Sequence, residues 1–90
     1  MRRNRVKHED RLSRNGTFLL SSAAMGETLR LVKIDAGKKL THRLTELGLT
    51  PGVEVMLVHD SGGPLLLSVR DSRVAIGRGM ADKLHVANII

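Results

Sequence analysis

Three residues that could together catalyse hydrolysis stand side by side in the sequence, at His59, Asp60 and Ser61. A serine nucleophile, a histidine base and an orienting carboxylate must lie in series, each within hydrogen-bond distance of the next. Neighbouring residues of a strand point to opposite faces of the sheet, so these three cannot form that series. Asp60 and Ser61 are typical turn residues. The sequence therefore predicts a turn here and no catalytic triad.

The glycine pair Gly62-Gly63 has the composition of a phosphate-binding loop. Such a loop leads from a strand into the N-terminus of a helix and usually contains a lysine. Here Pro64 and another apolar segment follow the glycines instead. The pattern is typical of a β-hairpin, and no phosphate-containing cofactor is expected.

His42 and Glu46 are four residues apart in a segment with helical periodicity, so they could offer a divalent metal one nitrogen and one oxygen ligand. Two ligands are too few for a tight site. His8, His59 and His85 have no comparable spacing. We expect neither a metal nor another cofactor, with His42 and Glu46 as weak candidate ligands.

The chain contains no cysteine, which excludes disulfides, thiolate metal sites and thiol catalysis. A chain without disulfides is compatible with the reducing cytoplasm, which is the expected location. No apolar run approaches the roughly 18 residues that span a bilayer.

The net charge of +6 is of the size found in nucleic-acid-binding proteins, so its distribution matters. Residues 1–16 contain six basic and two acidic residues, whereas residues 17–90 contain nine and seven. The basic segment has few apolar residues and is predicted to be a disordered tail. It could bind phosphates in a salt-dependent way. The single aromatic residue, Phe18, offers little stacking on bases, so nucleic acid is an unfavoured partner.

Residues 17–90 are predicted to form one mainly β domain, because glycines and prolines divide them into short segments with alternating apolar residues. These segments, about five strands in all, are "ETLRLVKI", "VEVMLVH", "PLLLSVR", "RVAIG" and "KLHV". In the first strand, strict alternation would put Leu29, Leu31 and Lys33 on one face and Arg30, Val32 and Ile34 on the other, and which face is buried stays open.

One segment has a helical period. Leu40, Leu44 and Leu47 recur at i, i+4 and i+7 and would form the buried face of a helix. Asp35 would stand near its start, where a carboxylate meets free N–H groups. Gly48 would end it.

The stretch "RLTELGLTPG" combines this helix end with a turn. Gly48 would adopt the left-handed conformation, and Leu49 would fold back onto Leu44 as in a Schellman motif. Pro51 and Gly52 fit the two central positions of a type II turn. The stretch is interpreted as architecture that starts the next strand.

Apolar residues also occupy the second face of two predicted strands, at Met56, Val58 and Leu66. Either the helix covers them or they form a surface for a protein partner. Arg43 and Glu46 could give such a surface a polar rim. The residues expected to contact a partner are Arg43, Glu46, Met56, Val58, Leu66, Ile89 and Ile90.

The stretch "RLTELGLTPGVEVMLV" resembles the central motif of the FeoA family, which belongs to the bacterial ferrous iron transport system. Three further pieces resemble the family in the same order, and the resemblance covers about Phe18 to Ala87. These pieces are "LSSAAMGETLRLVKI", "GGPLLLSV" and "VAIGRGMADKLHV". Asp71-Ser72 stand where the family commonly has a glycine, and Gly77 replaces a bulkier residue.

The resemblance implies a small SH3-like β-barrel with one helical insertion between its first and second main strands. It also implies a non-enzymatic cytoplasmic adaptor or regulator that binds an FeoB-type ferrous iron permease. Two alternatives stay open: a stand-alone relative of the C-terminal domain of metal-dependent repressors, or a module whose basic tail binds nucleic acid. A homo-oligomer is compatible with all three.

Overall fold

A computed structural model describes residues 16–89 of the chain. The strands are β1 (Phe18–Leu19), β2 (Thr28–Ile34), β3 (Glu54–His59), β4 (Leu65–Val69), β5 (Ser72–Ile76) and β6 (Leu84–Asn88). The helices are α1 (Lys38–Glu46) and α2 (Arg78–Ala81), and a 3₁₀ turn covers Leu20–Ser22. Almost all of the predicted basic tail, together with Ile90, lies outside the described residues.

The six strands form one antiparallel sheet in the order β1-β6-β2-β3-β4-β5. Helix α1 is inserted between β2 and β3, as the family resemblance implies. The mainly β fold is confirmed, and the two-residue β1 is an addition to the five predicted segments. No helix within residues 16–89 is long and apolar enough to cross a membrane.

The core lies on one face of the six-stranded sheet, and all of its side chains except Phe18 are aliphatic. Along β3, β4 and β6 buried residues alternate with more exposed ones, as the sequence pattern predicts. The fully buried large side chains are Leu20, Leu29, Leu31, Leu44, Leu49, Leu57, Leu65, Leu67, Ile76, Leu84 and Val86.

The structure settles the facing of β2, and Lys33 does not share the buried face of Leu29 and Leu31. The pairing of β2 with β6 shifts register between Leu31 and Lys33, which is a β-bulge. An extra residue in one strand reverses the alternation beyond it. Val32 and Lys33 are therefore exposed, and Ile34 packs against the core.

Helix α1 begins without the predicted carboxylate cap. Its N-cap is Gly37, no side chain caps it, and its first turn contains no acidic residue. Asp35 lies two residues earlier, where its N–H donates to the carbonyl oxygen of Lys83 at 2.7 Å. The Asp35 assignment was wrong because this residue is too far from the first turn.

The end of α1 has the predicted Schellman geometry. The N–H of Leu49 donates to the carbonyl oxygen of Leu44, and the N–H of Gly48 to that of Thr45, both at 2.9 Å. Gly48 has φ +93°. Leu49 is buried beside Leu44, which is the apolar contact that accompanies this motif.

Leu47 does not help to bury α1, contrary to the prediction. It is the C-cap residue and its exposed fraction is 44%. The helix ends at Glu46, and the left-handed Gly48 turns the chain so that Leu49 takes the place in the core. Leu44 is the one fully buried residue of the predicted helical face, and Leu40 is partly buried.

The turn after the helix fixes the start of β3 against the middle of β2. The N–H of Val53 donates to the carbonyl oxygen of Thr50 at 3.0 Å and Gly52 has φ +97°, which confirms the predicted turn around Pro51 and Gly52. The N–H of Gly52 then donates to the carbonyl oxygen of Leu31, and the N–H of Leu31 to that of Val53.

Candidate functional site

An apolar patch lies on the outer face of β3, β4 and β5, opposite the core. We name Met56, Val58, Leu66 and Ala75 the outer-face patch. Met56 has an exposed fraction of 41%, and Val58 and Leu66 are half-buried. Leu66 pairs with Ala75, so the patch reaches β5. The residues of β3 and β4 for which the sequence allowed either burial or a partner surface are thus at least partly exposed.

Polar residues border Met56 within the sheet. Thr28 of β2 and Ser68 of β4 are its two cross-strand partners. These three side chains line a surface depression of about 480 Å³. The other lining residues are Gly52, Val53, Glu54, Val55 and Arg70. A patch with an apolar centre and a polar edge is the usual layout of a protein interface.

Glu54, which lines the depression, belongs to an exposed ion pair. The guanidinium Nη2 of Arg30 is 3.4 Å from Oε2 of Glu54, and both side chains are more than half exposed. Arg30 and Glu54 are direct cross-strand neighbours. Such an exposed pair contributes little to stability, so both groups stay accessible to a partner.

The helix residues predicted for the rim belong to a different element. Arg43 and Glu46 are exposed on α1, whose Leu44 packs into the core, whereas Met56 faces outward from the sheet. The polar residues that line the depression are Thr28, Glu54, Ser68 and Arg70. Contact of Arg43 and Glu46 with a partner stays a prediction.

His42 and Glu46 approach each other on the surface of α1, with 3.4 Å between Nε2 and Oε2. Both side chains are largely exposed. Within residues 16–89 no group of three or more histidine, aspartate or glutamate side chains is placed to hold a metal ion. The pair offers two ligands, and metal contact here stays an untested prediction.

Ile89 is partly buried directly after β6, and its N–H donates to the carbonyl oxygen of Thr28 at 3.2 Å. It therefore lies close to the strand that borders the depression. Ile90, its predicted companion, is outside the described residues.

The segment that contains His59, Asp60 and Ser61 ends in a turn that is stabilised by hydrogen bonds to the carboxylate of Asp60. Oδ1 of Asp60 accepts from the N–H of Gly62 at 3.0 Å, as its turn composition predicts. Arg78 donates to both carboxylate oxygens of Asp60, at 2.6 and 3.1 Å, and to the carbonyl oxygen of Gly63 at 3.0 Å. The Arg78 and Gly62 hydrogen bonds lower the pKa of Asp60 to about 2. This carboxylate is therefore held by Arg78.

Sequence reasoning missed the Asp60–Arg78 pair. The two residues are 18 positions apart, and no periodicity connects them. Only the topology, which places the β3–β4 turn beside the start of α2, brings them together. A charged residue directly after Gly77 at a helix start was the single available signal.

The fold is a small antiparallel β-sheet domain with one helix inserted between β2 and β3. A model of the FeoA domain matches residues 18–88, and the chain belongs to this family, which is associated with ferrous iron transport. A protein of Methanocaldococcus jannaschii that carries the name Fe(2+) transport protein A is 37% identical to this chain over 69 residues. The match covers 77% of this chain and 84% of the relative.

Solved structures agree with this assignment. An iron uptake regulatory protein, FeoA, superposes with a TM-score of 0.77 at 31% identity, over 81% of this chain and 99% of that chain. FeoA of Stenotrophomonas maltophilia, complexed with zinc and described as a prokaryotic SH3 domain protein, has a TM-score of 0.69 at 28% identity, over 77% and 88% of the two chains. The predicted SH3-like barrel is thereby confirmed.

The same fold also occurs as one part of a longer chain. IdeR of T. acidophilum superposes with a TM-score of 0.74 at 19% identity, over 81% of this chain and 34% of that chain. This likeness concerns the fold alone.

Proposed function

We propose that this protein is a non-enzymatic cytoplasmic adaptor or regulator of ferrous iron transport, and that it binds the cytosolic part of an FeoB-type permease. Membership of the FeoA family supports the link to iron transport. The outer-face patch is the observation that carries a binding role. It exposes Met56 beside a polar-edged depression on the sheet.

The composition of the patch favours a protein partner. Methionine is flexible and polarisable, so it adapts to irregular apolar surfaces. Many SH3 domains bind proline-rich peptides in a groove lined by aromatic residues. The one aromatic residue here, Phe18, has an exposed fraction of 3%, so that mode of recognition is not available.

Regulation requires that the barrel distinguish two states of the permease. A ligand shifts a conformational equilibrium only by the difference between its affinities for the two states. A tenfold difference corresponds to about 1.4 kcal/mol. Burial of one apolar side chain, such as Met56, against only one of the permease states has a free energy of this size. Ferrous iron itself is the cargo of the permease and needs no site on the barrel.

Two charge substitutions test the proposal as a matched pair. Met56→Glu and Leu47→Glu each place a carboxylate at an exposed apolar residue, with exposed fractions of 41% and 44%. Met56→Glu should weaken binding to the cytosolic part of the permease at least tenfold in a calorimetric titration, and Leu47→Glu should change it less than twofold. Equal effects, or no binding by the unmodified protein to this part or to the full-length permease, would refute the proposal.

The six basic residues of segment 1–16 favour one second candidate, a stand-alone regulator domain that engages a transcriptional regulator or nucleic acid. Binding to DNA through phosphates falls steeply with salt. A DNA affinity that drops between 50 and 200 mM salt, roughly the range over which such contacts weaken, and disappears on deletion of residues 1–16, would support a nucleic-acid role. Permease binding that survives this deletion would support the adaptor.

A further inference from the structure

Strand β5 is an open edge of the sheet. Among residues 16–89 it pairs only with β4, and no backbone hydrogen bond joins Ser72–Ile76 to another element. An open edge presents unpaired N–H and C=O groups to a further strand. Ser72, Arg73 and Ala75 of this strand are exposed.

The turn between β4 and β5 shows which groups are open. Val69 pairs with Ser72 across the two-residue turn, so these two residues exchange backbone hydrogen bonds. Hydrogen-bonded and non-hydrogen-bonded pairs then alternate along the strands. The N–H and C=O groups of Arg73 and Ala75 therefore point away from β4.

The open edge carries positive charge without a partner. Arg70 and Arg73 are exposed, and neither forms an ion pair within residues 16–89. Arg78, at the far end of β5, is neutralised by Asp60. Asp71, in the turn, is the one carboxylate of the hairpin. The charge balance of this edge favours an acidic ligand over a basic one.

Arg70 is held in an unusual backbone conformation. It has φ +56°, the one non-glycine residue with positive φ in the described part of the chain. Glycine or asparagine suits the first central position of such a turn better than arginine. Strained residues of this kind concentrate at functional sites. Arg70 also lines the depression beside Met56.

We propose that β5 is a docking edge that takes an extended acidic segment of a protein partner as a seventh strand. The backbone groups of Arg73 and Ala75 supply the hydrogen bonds, and Arg73 and Arg70 pair with carboxylates of the segment. Ala75 also belongs to the outer-face patch, so the segment would border that patch. This inference holds for any acidic partner and is independent of the permease.

A second copy of the chain fits this edge less well. It would bring the same arginine-rich hairpin against itself, and like charges facing each other across a strand pair are destabilising. An acidic strand removes that repulsion. The positive charge of the hairpin therefore favours an acidic segment of another protein over a second copy of this chain.

The test uses the full chain labelled with ¹⁵N and two terminally blocked peptides, one of alternating glutamate and valine and one of alternating lysine and valine. The acidic peptide should shift the amide resonances of Arg73 and Ala75 more than those of Val74 and Ile76. The basic peptide should leave all four unchanged. Equal shifts with both peptides, shifts confined to other strands, or no shift at millimolar acidic peptide would overturn the proposal.

A matched pair of variants separates edge pairing from general charge attraction. Ala75→Pro removes an outward N–H, and proline is tolerated in an edge strand when its nitrogen faces solvent. Ala75→Val keeps that N–H and suits a strand. Binding of the acidic peptide should be lost in Ala75→Pro and kept in Ala75→Val. If both variants bind equally well, the backbone edge is not used.

Two further measurements distinguish edge binding from damage to the fold and from self-association. Arg70→Gly should weaken acidic-peptide binding severalfold while raising the melting temperature, a combination that damage to the fold cannot produce. Sedimentation equilibrium should give a monomer for both the unmodified protein and Ala75→Pro. A dimer that Ala75→Pro dissociates would show that a second copy occupies the edge and would overturn the acidic-partner assignment.

Discussion

The helix end at residues 43–53 and the β4–β5 hairpin both reverse the chain tightly. They differ in which residue has positive φ and in how many backbone N–H and C=O groups are hydrogen-bonded. In the first, Gly48 and Gly52 occupy the positive-φ positions, and the N–H groups from Gly48 to Leu49 and from Gly52 to Val53 are bonded. In the second, an arginine takes the positive-φ position, and the outer edge of β5 is unpaired within the described residues.

This contrast distinguishes a segment that stabilises the fold from a segment that is available for binding. A region whose strained positions are all glycine and whose hydrogen bonds are satisfied has been optimised for folding. A region that keeps a strained charged residue and open backbone groups retains features that folding does not require. We therefore assign the family motif around Gly48 to stability and the hairpin to recognition. Substitutions in each region test this division.

The largest effect is expected in the helix. Leu44→Ala should lower the free energy of unfolding by about 2–5 kcal/mol, because Leu44 is fully buried and its removal leaves a cavity. Leu47→Ala, at an exposed position, should change it by less than about 0.5 kcal/mol. Urea denaturation of both variants measures the difference. Similar losses would mean that Leu47 packs in the core after all.

The next effect concerns the glycine that ends the helix. Gly48→Val forces a β-branched residue to φ +93° and should cost about 1–3 kcal/mol. A Cβ there would lie 3.6 Å from Cγ1 of Val69, an ordinary contact, so strain and not collision is the cause. Gly63→Val, at a glycine with neither positive φ nor close neighbours, is the control. A stable Gly48→Val variant that no longer binds the permease would contradict the architectural role.

The free energy of unfolding at acidic pH should depend on the Asp60–Arg78 ion pair, which holds the β3–β4 turn in place. The pKa of Asp60 is lowered to about 2, so its carboxylate stabilises the fold above the ordinary pKa near 4. That contribution is lost as the pH falls from about 4 to 2. Asp60→Asn should therefore flatten this part of the stability curve, measured by urea denaturation at successive pH values. Asp71→Asn, which removes an exposed turn carboxylate, is the matched control.

The smallest effect has the opposite sign. Arg70→Gly should raise the free energy of unfolding by about 0.5–1 kcal/mol, because glycine adopts positive φ without steric cost. Thermal unfolding followed by circular dichroism measures it. Arg73→Gly is the control, since glycine inside a strand is destabilising. A loss of stability in Arg70→Gly would remove the argument that Arg70 is strained.

The sequence determined most of the architecture because local signals carried it. The alternation in β3 and β4 and the glycines at 48 and 52 each act within a few residues, so their structures could be inferred without the fold. The departures from the regular pattern at Lys33 and Leu47 have one cause. A bulge and a helix end each interrupt a regular period, and neither interruption has a sequence signal as strong as the period itself.

The site was less accessible to sequence reasoning. The outward faces of β3 and β4 followed from alternation, which identified Met56, Val58 and Leu66. Pairings between distant segments did not, since they depend on which strands become neighbours. The Asp60–Arg78 pair and the open edge at Arg73 therefore emerged only from the three-dimensional structure.

The central claim is that the outer face of the sheet binds a partner and that Gly48 and Leu49, at the end of α1, serve to build the fold. Titration of the ¹⁵N-labelled protein with the cytosolic part of an FeoB-type permease tests it most directly. The account predicts that amide shifts concentrate at Met56, Leu66 and Ala75 and are small at Gly48 and Leu49. Shifts concentrated at the helix end, with the outer face unchanged, would contradict it.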